Sequence, residues 1–169
     1  MLSVHRGRFF ARERYRLMMA DKALRLLLRA AHGILKAVWY FRRPRTFGVH
    51  ALALTPPGNV ILVKLRYAPG WRLPRGGRGD EEKPREAVLR ELREEIGMTS
   101  HGTVNVACEL EEEADHKRDL VSLFIVRNVE YRPGWSWEVE DVMEAALDSL
   151  PRDLSPRMAG WLRALRPKL

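Results

Sequence analysis

A single cysteine, Cys108, in 169 residues excludes an intramolecular disulfide and offers no support for a cysteine-rich zinc centre or a thiol nucleophile. It fits a reducing compartment, with Cys108 as a small hydrophobe in a strand. No run approaches eighteen uncharged apolar residues, so nothing in the sequence is built to span a bilayer as a helix. Residues 1–16 are studded with arginine and lack the apolar run of a signal peptide, which gives a cytoplasmic expectation, and Met18 or Met19 offers an alternative start. Acidic residues are scarce at one end only. Residues 1–47 hold 12 Lys/Arg against Glu13 and Asp21, a net +10, whereas residues 48–169 hold 18 against 20 acids, a net −2. The overall +8 therefore belongs to an arm, and recognition of a specific nucleic acid by the body is not expected. With 46% hydrophobic and 31% charged residues, the chain reads as one globular domain with an appendage.

The appendage is assigned to residues 1–45 and the domain to 46–169. From Asp21 to Phe41, Leu24, Leu27, Leu28, Ala31, Leu35, Val38 and Trp39 recur at helical spacing, with Arg25, Arg29, His32 and Lys36 on the other face. Such a basic amphipathic helix has two uses: peripheral contact with an anionic membrane through residues 21–43, or packing on the body or on a second copy in a homodimer. Pro44 ends it. Val49–Leu54 and Val60–Lys64 read as strands joined in a hairpin by the Pro-Pro-Gly-Asn turn, with Lys64 and Arg66 sharing one face. Strands are expected at Thr103–Glu109 and Leu120–Val129, joined by an acidic loop from Glu111 to Asp115. Ser155-Pro156 opens a last helix. Strands mixed with helices give an α/β sandwich.

The segment from Gly76 to Met98 is the most informative. Pro84 suits a first turn and Gly97 a C-cap, so a helix of three to four turns is expected between them, with Val88, Leu92 and Ile96 on its core face. Glu91, Glu94 and Glu95 then share one side, within about 100° of arc. Clustered carboxylates repel, and a hard divalent cation such as Mg²⁺ relieves that repulsion while bridging to substrate phosphates. The alternative at this stage is a solvated face on which Arg85, Arg90 and Arg93 pair the acids.

Gly76, Glu82, Arg90, Glu91, Glu94, Glu95 and Gly97, with apolar Leu92 and Met98, match the pattern GX5EX7REUXEEXGU at every fixed position, a chance event on the order of 10⁻⁸ per starting point. The chain thus resembles the Nudix hydrolases, over about residues 46–153 when FGVHALAL, VILVKLRY and PGWRLPRGG are included. The resemblance implies a Nudix α/β/α sandwich with a mixed sheet. It also implies hydrolysis of the phosphoanhydride of a nucleoside diphosphate linked to another moiety, with Mg²⁺, or Mn²⁺ in its stead. Glu91, Glu94 and Glu95 look like the metal-binding glutamates, and Arg90 and Glu82 like the pair that orients them. Gly76 serves a loop of special backbone conformation. Arg75, Glu81 and Lys83 depart from the common pattern without removing a ligand.

A further acid or base is sought in a later loop, where Glu138 is preferred to the Glu111–Asp115 cluster, with His116 beside the latter. Trp71, Trp135 or Trp137 could stack a nucleobase, and Lys64 and Arg66 could hold phosphates. The rival function is a Nudix-fold nucleotide sensor without turnover, or a membrane-tethered binding module.

Overall fold

The structure, a computed structural model, describes residues 19–35, 45–79, 81–114 and 117–165. The expected helix beyond residue 35, its break at Pro44, and His116 lie outside these. Helix α1 runs over residues 19–35. It is followed by β1 (Arg45–Ala53), β2 (Val60–Leu65), β3 (Trp71–Arg72), β4 (Arg75–Gly77) and α2 (Pro84–Ile96). Then come β5 (Met98–Ser100), β6 (Val104–Ala114), β7 (Lys117–Val126), β8 (Glu130–Tyr131), β9 (Val139–Ala145) and α3 (Pro156–Leu165).

One sheet has the order β4-β1-β7-β6, in which β1 runs parallel to β7 and antiparallel to β4; a second has the order β3-β2-β9, and β5 pairs β8. The period-two alternation of the strands divides their side chains between two cores. Val49, Ala51 and Ala53 of β1, Ile61 and Val63 of β2, and Phe124 and Val126 of β7 pack with Val88, Leu92 and Ile96 of α2. Their neighbours Leu52, Val60, Leu62, Leu123 and Ile125 pack with Met158, Leu162 and Leu165 of α3. Strands apolar on both faces thus lie between two helices, which makes the α/β/α sandwich.

The turn at Thr55–Asn59 forms as expected, with the Thr55 N–H donating to Asn59 O at 2.9 Å and Gly58 at φ +90°. The hairpin does not. Beyond one bridge between Leu54 and Val60, β1 and β2 diverge into different sheets, because β1 takes β4 and β7 as partners and β2 takes β3 and β9. The acidic segment from Glu111 likewise continues β6 to Ala114 rather than forming a loop, since it is paired with β7 to the end.

Helix α1 also sits differently from the sequence expectation. Arg25 turns toward the body, where it donates from both terminal nitrogens to Glu140 at 2.8 and 3.0 Å and from Nε to Asp21 at 2.8 Å, while Arg66 reaches Asp21 at 2.6 Å. His32 lies against Tyr67, with ring centroids 5.1 Å apart. The helix is docked by its charged edge, and Leu26, Leu27 and Ile34 are left about two-thirds exposed.

Leu92 of α2 is fully buried, so Leu92→Ala should lower unfolding free energy by roughly 2–5 kcal/mol, whereas Leu26→Ala, 70% exposed, should change it by less than about 0.5 kcal/mol. Urea titrations of the two variants check this, and equal losses would contradict the packing described.

Candidate functional site

Helix α2 starts at Pro84 behind an extended Lys83 that makes no side-chain cap, and it stops at Gly97, whose φ of 67° is costly for a residue with a Cβ. A Cβ at Gly97 would also collide with Arg132 O, so the helix end is fixed against the loop that follows β8. With both ends set, the polar side of α2 is aimed at the segment from β4 to Glu82.

Arg90 joins the two. Its Nε and Nη2 donate to Glu82 at 2.9 and 3.1 Å, Nη2 donates to Gly77 O at 2.9 Å, and Nη1 reaches Glu91 at 2.7 Å and Glu94 at 3.2 Å. Glu82 accepts from the Gly79 N–H as well, and Arg78 donates to Glu82 O at 3.0 Å. The Arg90 fork and that N–H hold the Glu82 carboxyl below its ordinary value, while Glu82 and Glu91 hold the Arg90 cation firmly protonated. One turn further along α2, Glu95 accepts from the Arg75 N–H at 2.8 Å.

Gly76 is required here for a reason other than backbone conformation. Its φ is not in the left-handed region, but a Cβ at this position would overlap the Glu91 carboxylate, which lies against the β4 backbone. The expected special backbone is therefore replaced by a close approach of strand to side chain.

These residues form one end of a cavity of about 1090 Å³. Glu91, Glu94, Glu95, Glu138 and Asp119 supply carboxylates to its lining, Arg75 and Arg78 supply cations, and Phe47, Trp135 and Trp137 supply aromatic surface. Leu28, Ala31, His32 and Leu35 of α1 complete it. Arg78 lies over the Phe47 ring at 4.4 Å, and Asp119 accepts from the Thr46 hydroxyl at 2.8 Å.

The structure thus brings Glu91, Glu94, Glu95 and Glu138 to one cavity, which Glu111 does not line. Lys64, Arg66 and Trp71 lie apart from it. Lys64 sits 6.0 Å from the Trp71 ring, Trp71 packs on the α3-side core, and Arg66 is engaged by Asp21. The residues that sequence reasoning missed are Arg78, Asp119 and the α1 leucines. Arg78 carried a signal, a cation inside the Gly76–Glu82 loop. Asp119 carried none, because its position depends on the parallel register that sets it opposite Thr46.

The electrostatics show what this arrangement lacks on its own. Burial, reinforced by Glu91 and Glu138, pushes the Glu95 carboxyl up to about 8 against the pull of the Arg75 N–H, and burial also raises Glu91 despite Arg90. Among the described residues no three acidic, His or Cys side chains converge as a ready cage, since Glu91 is turned to Arg90 and Glu95 to the Arg75 N–H. An all-oxygen donor set with more negative charge than its surroundings compensate suits a hard divalent cation, and Glu91, Glu94 and Glu95 are the residues that would hold it.

A family profile described as the NUDIX domain matches residues 44–165. The chain is 37% identical over 51 residues to an RNA pyrophosphohydrolase of Ectopseudomonas mendocina (strain ymp), a match covering 30% of this chain and 32% of that protein. It therefore spans about a third of that relative's length. Among solved structures it is similar to a MutT NUDIX hydrolase from Burkholderia pseudomallei, with 25% identity, a TM-score of 0.61, and coverage of 70% of this chain and 96% of the other. In fold alone it is similar to a bifunctional NMN adenylyltransferase/ADP ribose pyrophosphatase from Francisella tularensis complexed with AMP and a manganese ion. That likeness has 16% identity, a TM-score of 0.62, and coverage of 85% and 48%.

The raised Glu95 carboxyl fixes the direction of a pH effect. The fold favours its protonated form, so this contribution is fully present below pH 4.5 and is lost as pH rises toward about 8. In EDTA, stability should fall over that window by no more than about 1.4 kcal/mol per pH unit, and Glu95→Gln should flatten the fall. Urea midpoints near the two ends of the window test this, and an undiminished fall in the variant would refute it.

Proposed function

This chain belongs to the Nudix hydrolase family, and from that membership we propose that it is a Mg²⁺-dependent hydrolase, with Mn²⁺ as a substitute. In this reading it cleaves the phosphoanhydride of a nucleoside diphosphate linked to another moiety. The observation that carries the reading is the cavity into which Glu91, Glu94, Glu95 and Glu138 all project beside two arginines. When bound, the cation supplies Lewis-acid polarisation of a phosphoryl oxygen and a nucleophile at neutral pH.

The protein's own residues take the remaining tasks. Glu91, Glu94 and Glu95 hold the cation, and Arg90 keeps Glu91 and Glu94 oriented while tying α2 to Glu82 and Gly77. Glu138 accepts the proton of the attacking water; the repulsion it exerts on Glu91 and Glu95 supports its proximity to them. Phosphate oxygens are taken by Arg75 and Arg78, since Arg66 is committed to Asp21 and Lys64 lies outside the cavity. Phe47, Trp135 and Trp137 are the aromatic surfaces open to a nucleobase, in place of Trp71.

A peripheral contact of residues 21–43 with an anionic membrane is also part of this reading. It is supported by exposed Leu26, Leu27 and Ile34 on the same helix as Lys22 and Arg29, next to the net +10 of residues 1–47. Sedimentation with anionic vesicles should be lost when Leu26 and Ile34 are both changed to Asp. Unchanged sedimentation would leave the helix a purely intramolecular role.

The central test is product analysis across a panel of nucleoside diphosphate derivatives with and without Mg²⁺. Turnover should require the metal and fall at least about 10-fold in Glu94→Gln, which weakens the hold on the cation. Metal and nucleotide binding without turnover of any compound would instead make the protein a nucleotide sensor.

A further inference from the structure

Helix α1 reverses the usual disposition of an amphipathic helix, which buries its apolar stripe and leaves its charges in water. Here the charged edge docks through Asp21 and Arg25 to Arg66 and Glu140, and the apolar edge is divided between solvent and the cavity. Leu28, Ala31 and Leu35, within about 10 Å along the axis, line the same cavity as the carboxylates, and Leu35 remains 48% exposed. Trp135 and Trp137 line it too, 68% and 63% exposed, with ring centroids 4.4 Å apart at 77°. Apolar surface is thus open to water beside a strongly charged site, and an occupant that covers it gains hydrophobic free energy.

We propose that Leu28, Ala31 and Leu35 form a subsite for an aliphatic chain on the moiety that the diphosphate links to the nucleoside. This rests on the reading of the site as a diphosphate hydrolase and deepens it by naming the substrate's second half. The chemistry of the wall decides for a chain over a second base or a sugar. The backbone N–H and C=O groups of a helix interior are used within the helix, so this wall offers aliphatic contact and no directional partner along the leucines. The polar edges of a sugar or base laid on it would lose water without replacement, which a hydrocarbon chain does not. His32, the polar residue that α1 adds to the lining, already lies against Tyr67.

The subsite is tested by equilibrium binding, read by tryptophan fluorescence, of ADP alkyl esters from ethyl to octyl to the full chain carrying Glu94→Gln to suppress turnover. Burial of one methylene tightens binding by about fourfold, so covering even two of the added ones makes the octyl ester at least about 10-fold tighter than the ethyl ester. Adding Leu28→Ser and Leu35→Ser should reduce that ratio to within about twofold, and Leu28→Met with Leu35→Met should retain it. A ratio near one in the parent, or a ratio untouched by the serines, overturns the subsite. Hydrolysis of the same series by the wild-type chain reports separately on the enzyme. If neither these esters nor any compound of the wider panel is cleaved but the chain-length gradient persists, the hydrolase reading fails and the subsite stands.

Discussion

The five donors of the Arg90 guanidinium are spent on four partners, and the geometry of the whole site follows from that. A planar fork can hold Glu82 bidentately, meet a backbone carbonyl at Gly77 and still direct one nitrogen to Glu91 and Glu94. A lysine in its place is a point charge without this rigid fork. Glu82 and Gly77 belong to the segment leading into α2, whereas Glu91 and Glu94 belong to α2 itself. The guanidinium is therefore the pin between a strand edge and a helix, beside the Glu95 contact with the Arg75 N–H and the packing of Gly76 on Glu91.

That pin also allows carboxylates to be crowded. Like charges on one helix side cost stability, and two of these acids are half-buried, which adds a desolvation cost. One guanidinium offsets part of the cost for Glu91 and Glu94, whereas Glu95 meets the Arg75 N–H instead, and burial drives its carboxyl furthest from its ordinary value. The imbalance is what a divalent cation would relieve, so the features that make the site unfavourable when empty of cation are those that would make it selective for one.

What could be read from the sequence was what is encoded locally. Helix α2 begins at Pro84, ends at Gly97 and turns Val88, Leu92 and Ile96 inward, all legible from neighbouring residues and from a 3.6-residue period. Helix α3 opens at Pro156 for the same reason. The β1–β2 hairpin misled because a turn specifies that the chain reverses, not that the flanking strands pair; partners more than sixty residues away on β7 took β1 instead. Lys64 and Arg66 were legible as a pair of cations and illegible as to use, because the carboxylate that engages Arg66 comes from α1, 45 residues earlier. Asp119 and the α1 leucines reached the cavity through tertiary register that no local pattern carries.

The attachment of α1 has a consequence for how the cavity behaves in different solutions. The chain of contacts from Glu140 through Arg25 and Asp21 to Arg66 is partly solvent-exposed, with about a third of the Arg25 and Asp21 side chains open to water. Exposed ion pairs weaken as dissolved salt shortens the screening length from about 10 Å at 0.1 M to about 3 Å at 1 M, whereas apolar packing does not weaken in this way. The two cores that hold α2 and α3 are therefore indifferent to ionic strength while the wall supplied by α1 is not. Ionic strength becomes a control on the shape of that side of the cavity, and it acts as well on the Arg90–Glu94 pair, whose side chains are 37% and 58% open to water.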